Sequence, residues 1–196
     1  SWRGAENWDA AWVFVKFRAP GSNNWQHAKV STNSADHKPA ANSTIDAVPD
    51  GGGAFVYRSA GYTGNVHYAQ TKLRWNYGTN GYSFAKGERV EVSVHAIEMV
   101  YMNQGAFYLG SGGTETNAFR VNTPAAPYQV TSEAPIAIGN NPPGALWADG
   151  EIQNGTLTAA YPKGFAAAYM MKYEMSQQQY VDFLNNLTRV QQATRV

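Results

Sequence analysis

The chain of 196 residues has no cysteine. That excludes disulfides, thiolate metal sites and thiol nucleophiles within it. It also has little charge: only 15% of residues are Asp, Glu, Lys or Arg, against roughly 25% in soluble domains. Fifteen basic residues against fourteen acidic ones leave a formal charge of +1. No basic excess points to nucleic acid or an anionic membrane, and no acidic excess points to a disordered tail. No apolar run reaches the roughly 18 residues a spanning helix needs, and no basic-then-apolar leader opens the chain. A secreted protein would already have lost such a leader.

Aromatic residues and turn formers are what the chain does have. It carries 12 Tyr, 8 Phe and 6 Trp, with 19 Gly and 9 Pro. Short runs between turn residues, rich in β-branched and aromatic side chains, predict a mainly β protein with little helix. In the first half, Ala11 to Arg18 (AWVFVKFR) reads as a strand apolar on both faces, and Trp25 to Val30 as a short return. Residues 31–53 read as a long loop ending in Pro49-Asp50-Gly51-Gly52-Gly53. Ala54–Arg58, Val66–Tyr68 and Lys72–Asn76 read as further short strands. Val90 to Ala96 alternates cleanly, which predicts Val90, Val92 and Val94 facing in and Glu91, Ser93 and His95 facing out. Strands so spaced predict an N-terminal β-sandwich over 1–97.

The second half has less pattern. Met99 to Leu109 reads as two short strands about a Gln104-Gly105 bend. Residues 114–164 read as mostly irregular, and Phe165 to Glu174 as a strand. Ser176 and Gln179 fit a capping box, and Tyr180, Phe183, Leu184 and Leu187 follow at i, i+3, i+4, i+7. That spacing predicts a helix near 176–188 with one apolar face, Tyr180 and Phe183 on its buried side.

Two segments of this half, Met99 to Ser111 (MVYMNQGAFYLGS) and Tyr169 to Leu184 (YMMKYEMSQQQYVDFL), resemble the formylglycine-generating enzyme (sulfatase-modifying factor) family. The resemblance covers about residues 97–190 and rests on Gly105, Phe107, Gly110, Tyr173, Glu174, Ser176, Tyr180 and Phe183. Met175-Ser176 stands where the family usually has Val-Thr. The resemblance implies an α+β segment over 98–196 that corresponds to the opening part of such a domain. The catalytic cysteines of that family, or the iron-ligating histidines of its sulfoxide-synthase relatives, lie largely beyond this part. No catalytic residue carries over, and the chain as given is expected not to be an enzyme. Residues around Asn7 to Lys16 are similar to a β module of bacterial surface proteins.

Other constellations are weaker. His27, His37, His67 and His95 show no metal-ligand spacing, so no metal site is expected. Asp149-Gly150-Glu151 with Asn154, and Asp46 with Asp50, are loop carboxylates without the calcium-loop pattern; calcium is the one cofactor they leave open. Gly110-Ser111-Gly112-Gly113-Thr114 lacks the Lys of a phosphate loop, and there is no G-x-S-x-G elbow. Trp12 and Trp75 read as core. Trp2, Trp25 and Trp147 read as loop tryptophans available for binding or assembly.

These readings together predict a non-catalytic bacterial protein, secreted or on the cell surface. They favour a self-assembling structural subunit, copies of itself being its partners, with a filament built by strand or loop exchange as one form. The alternatives are a polysaccharide-binding module using loop aromatics and the amino-terminal fragment of a longer formylglycine-generating-type metalloenzyme.

Overall fold

A computed structural model describes residues 3–79, 83–111, 115–140, 142–148 and 154–194. The chain is mainly β with little helix, as the composition predicts. It forms two compact units, one of residues up to Tyr101 and from Tyr169 onward, the other of Met102–Ala168. The division expected at 97/98 therefore falls within a strand, and the C-terminal segment belongs with the first unit.

The first unit is built on one sheet. Its strands are β1 (Trp8–Arg18), β2 (Gln26–His27), β3 (Ser43–Ala47), β4 (Ala54–Arg58), β5 (Glu91–Met102) and, from the far end of the chain, β12 (Ala168–Met171). They lie in the order β12-β5-β1-β4-β3, with β2 beside the end of β1. β1 pairs antiparallel with β5 along its whole length, from Trp8↔Tyr101 to Arg18↔Glu91, and with β4 from Ala10↔Tyr57 to Val13↔Ala54. Alternation along β1 sends Trp8, Ala10, Trp12, Phe14, Lys16 and Arg18 to one side, here face A. Asp9, Ala11, Val13, Val15 and Phe17 go to the other, face B.

Face B holds the core. Ile45, Ala54 and Val56 are buried there with Val13, Ala47, Tyr68 and Leu73 against them. Phe17, 1% exposed, is closed in by the rings of Trp75 and Phe84 at 4.9 and 5.8 Å. Among the described residues, the layer over face B is loop rather than the second sheet of a sandwich. Glycines at 61, 64, 78 and 87 interrupt residues 59–90. They flank residues 65–77 rather than break them, and among the described residues of this span no strand forms. The runs read as strands at Val66–Tyr68 and Lys72–Asn76 give only isolated bridges, Lys38↔Lys72 and Val30↔Trp75.

Two other readings are corrected. The loop expected over 31–53 contains β3, hidden because an edge strand tolerates the polar residues Ser43, Thr44 and Asp46. In β5 the two faces are exchanged: Val92 and Val94 are 50% and 64% exposed, while Ser93 and His95 are half-buried. Register explains it, since Phe14↔His95 and Lys16↔Ser93 place the polar pair on face A among the side chains of β1. The loop layer on face B packs over the β1, β4 and β3 residues and leaves these valines open.

The helix expected near 176–188 is α1 (Gln177–Asn185), capped by Ser176 with Gln179 reciprocating. Its burial differs from expectation. Tyr180 and Phe183 are 44% and 42% exposed, while Leu184 and Leu187 of the expected apolar face are half-buried together with Gln179, Asp182, Asn186 and Thr188. A second short helix, α2 (Arg189–Ala193), repeats the capping box with Thr188 and Gln191.

The second unit is less irregular than residues 114–164 suggest. It contains β6 (Phe107–Leu109), β7 (Phe119–Val121), β8 (Tyr128–Val130), β9 (Ile136–Ile138), β10 (Leu146–Ala148) and β11 (Gly155–Leu157). Each spans three residues, too few to show a period of two in sequence. β6 pairs with β8, and the others form a sheet in the order β11-β9-β10-β7. Val130, Ile136 and Leu146 form its core with Phe107, Leu109, Tyr128, Leu157 and Phe165. Polar side chains tie its loops. Glu133 accepts backbone N–H bonds from Lys163, Phe165 and Ala166, and Asn122 donates to Gly139 O and accepts from Gly144 N.

Candidate functional site

Face A of the first unit concentrates the aromatic surplus. Trp8 stacks on Tyr101 at 3.9 Å and Tyr169 on Phe55 at 3.7 Å. Tyr101 meets Tyr169 edge-on at 5.2 Å, and Trp12 tilts against Phe55 at 4.8 Å. The Arg3 guanidinium lies 4.3 Å over Trp8. Tyr169 accepts a hydrogen bond from Trp8 Nε1 at 3.3 Å, and burial pushes its hydroxyl up to about 12. Further along β1, Phe14 is flanked by two nearly parallel imidazoles, His95 at 4.9 Å and His27 at 5.8 Å. Beside them burial lowers the Lys16 ammonium from its ordinary value. The rings are half-buried and packed on one another, so this face is a second, aromatic core as much as a surface.

Two openings adjoin it. One is a shallow groove of about 640 Å³ lined by Trp12, His27, Lys29, Val48, Pro49, Asp50 and Gly52. Lys29 Nζ donates to Asp50 O at 2.8 Å, and Asp50 Oδ1 accepts from Gly52 N at 2.8 Å. The other is a recess of about 240 Å³ where Phe14, His95, Ile97 and Met171 meet Gln179 and Phe183 of α1.

The outer edge of β5 is the third feature. β5 is twelve residues long and its outer neighbour β12 only four. Lys172 N donates to Glu98 O at 2.9 Å, and Tyr169 meets the ring of Tyr101, so β12 runs beside Glu98–Met102. Among the described residues, no strand lies outside Glu91–Ile97. The direction of the main-chain groups there follows from β1. Val15 O is taken by Ala28 N, so Val15 points away from β5. In an antiparallel ladder its opposite number, Val94, then points away from β1. Val92, Val94 and Ala96 therefore aim their N–H and C=O groups off the sheet, in phase with Glu98, whose carbonyl is taken by Lys172 just past the end of β12.

The residues singled out in the sequence are dispersed. Trp2 lies outside the described residues. Trp25 is half-buried beneath the Arg18 guanidinium at 4.6 Å, and Arg18 bonds Glu91 at 2.6 Å. Trp147 lies in β10, not in a loop, with Arg120 at 4.9 Å over its ring. Trp25 and Trp147 thus each have a ring face occupied by an arginine. Trp75 lies outside the strands but packs on Phe17 as core. Of the residues carrying the family resemblance, Gly105, Phe107 and Gly110 belong to the second unit and Tyr173, Glu174, Ser176, Tyr180 and Phe183 to the first. Phe107 is core, Gly105 N bonds Phe165 O, and Ser176 caps α1. Tyr173, at 64%, and Glu174 are exposed.

Among the described residues, no three His, Asp or Glu side chains converge on a point where a metal would sit. Asp50 is engaged by its own turn, and the Asp149-Gly150-Glu151 carboxylates lie outside the described residues. The buried histidine is His37, whose Nδ1 accepts from Arg74 N at 2.9 Å and whose Nε2 bonds Ser31 O at 3.0 Å. The stack about Phe14 and the open edge of β5 escaped the sequence reading. Their signal was present in the shared alternation of Phe14-Val15-Lys16 and Ser93-Val94-His95, but only the register shows which faces coincide.

Comparison with family models, with curated proteins and with solved structures finds no match to this chain.

Proposed function

We propose that this chain is a non-catalytic structural protein, secreted or at the cell surface, that associates with copies of itself. The observation that carries the reading is the outer edge of β5, where main-chain groups without a strand partner among the described residues run beside the exposed Val92 and Val94. Such an edge is a template for another strand unless charge, proline or a covering element blocks it. Here Val92 to Ile97 contains neither a charged residue nor a proline, and the neighbouring element, α1, shares recesses with Ser93–Ile97 through Gln179, Asp182 and Asn186 without a hydrogen bond to their main chain among the described residues. In this reading the segment that resembles formylglycine-generating enzymes is scaffold, its glycines and caps setting turns rather than chemistry. A filament would need a second, different contact on each copy, because a patch that binds its own likeness closes as a dimer.

Sedimentation velocity over a concentration series tests the reading. Wild type is expected to shift from monomer to larger species with concentration. Val94→Lys, a charge placed at an exposed edge position, is expected to stay monomeric with unchanged circular dichroism. A monodisperse wild-type monomer at high concentration overturns it.

A second reading, saccharide binding, is favoured by the groove on Trp12 rather than by Trp25 or Trp147. An indole wall with Lys29 and Asp50 beside it suits a neutral pyranose, apolar face to the ring and hydroxyls to the charges. Calorimetric titration with neutral polysaccharides, repeated with Lys29→Ala, tests it; no heat with any of them removes it.

A further inference from the structure

The self-association reading above leaves the geometry of the joint open, and the edge itself specifies one. We infer that Glu91–Ile97 pairs antiparallel with the same segment of a second copy, about a two-fold axis passing through Val94.

Three features of the segment favour this register. The first is hydrogen bonding. Val92, Val94 and Ala96 carry the outward N–H and C=O groups, as derived from the Val15 and Glu98 bonds. Centring on Val94 sets Val94 against Val94 of the second copy and Val92 against Ala96. All are outward-pointing positions, so each pair exchanges two main-chain bonds. A shift of the centre by half a residue would set outward-pointing residues against inward-pointing ones, and the ladder would not form.

The second feature is side-chain identity. Val92, Val94 and Ala96 share face B and are exposed. Pairing about Val94 packs these apolar side chains against one another across the joint, which is the favourable cross-strand arrangement. On face A, Ser93 comes opposite His95, a pair already within hydrogen-bond distance along one strand at 3.0 Å.

The third feature is charge. Glu91 is the one charged residue in the segment, and in this register it lies opposite Ile97. Like charges therefore do not face one another, and Glu91 keeps its partner Arg18. A two-fold axis normal to the sheet also keeps face A of both copies on the same side. The two sheets become one continuous sheet, and the contact closes as a dimer.

The absence of cysteine makes the register directly testable, since one introduced cysteine can form a disulfide only between copies. Opposed residues of a hydrogen-bonded pair lie about 5.5 Å apart at Cα, within disulfide reach. Under mild oxidation Val94→Cys is expected to cross-link with itself. Val92→Cys alone and Ala96→Cys alone are expected not to, because four residues of offset separate like positions by about 14 Å. An equimolar mixture of Val92→Cys and Ala96→Cys is expected to cross-link between the two variants. Sedimentation of each reduced variant accompanies the assay. Association without this pattern overturns the register and leaves the broader reading standing. A reduced protein that is monomeric at every concentration overturns both.

Discussion

Tyr169 lies face to face with Phe55 at a centroid separation of 3.7 Å, although β5 and β1 stand between their strands. In a flat sheet β12 and β4 would be three spacings, about 14 Å, apart. Two aromatic side chains leaning together do not bridge that distance, so the sheet curls and face A is concave at this end. The returning C-terminal segment is thereby fastened to the first half of the chain by a ring stack and by the Trp8 hydrogen bond.

The same burial sets an alkaline limit. Desolvation raises the Tyr169 hydroxyl from 10.0 to about 12, against the opposing pull of the Trp8 bond. The folded state thus holds a proton that the unfolded chain releases first. Its stabilising contribution is complete below pH 10 and lost as pH rises toward 12. In an ultraviolet titration, wild type minus Tyr169→Phe is expected to show a tyrosinate step near the upper value. A difference step at the ordinary tyrosine value would refute the buried stack.

How much of this was legible in advance depends on what each residue does locally. The capping box at Ser176 acts within four residues, and the helix it predicts is present. β4 falls where its sequence places it, and β1 ends at the expected Arg18 but begins at Trp8, three residues before the expected Ala11. What was not legible depends on neighbours. Val92 reads as core by alternation, yet whether it is buried is decided by the reach of a loop layer, Tyr68, Leu73, Trp75 and Phe84, that packs over the neighbouring strands instead. Tyr180 and Phe183 read as a packed helix face, and only the placement of α1 beside β5 shows them half open. Glu133 gave no signal at all, because its partners are three backbone amides of a distant loop.

Gly110 shows a sequence feature with a strict steric cause. Its φ is +70°, and a Cβ there would fall 2.0 Å from Phe119 O. Neither the left-handed backbone nor the close approach admits a side chain. Gly110→Ala is expected to destabilise the second unit by roughly 2 kcal/mol or more, combining backbone strain with displacement of β7. Chemical denaturation followed by Trp147 fluorescence measures it. A change within about 0.5 kcal/mol, the usual range for neutral surface substitutions, would contradict the geometry.

His37 is the buried polar joint of the first unit. Because Nδ1 accepts from the Arg74 amide, the ring proton sits on Nε2 and is donated to Ser31 O. His37→Ala leaves a donor and an acceptor without partners, at about 1–3 kcal/mol each. The expected loss is therefore roughly 2–6 kcal/mol in urea unfolding, with part recovered by Gln, which offers both a donor and an acceptor. Equal stabilities of wild type and the Ala variant would show that the joint is not formed.

Glu133 is expected to govern acid stability of the second unit. Backbone amides of Lys163 and Ala166, with that of Phe165, hold its carboxyl below the ordinary value of 4.5. The unfolded chain binds the proton first as pH falls, so the sign is fixed. The contribution is complete above the ordinary value and disappears as pH drops through the lowered folded value. Glu133→Gln keeps an acceptor oxygen but removes the charge and one of the two carboxylate acceptors, so it should lower the melting temperature at neutral pH. It should also flatten the fall in stability below pH 4.5. Melting curves of both proteins from neutral pH into the acid range distinguish this from a generic packing defect. A packing defect would shift the two curves by a constant amount, whereas loss of this clamp brings them together as the wild-type carboxylate is protonated.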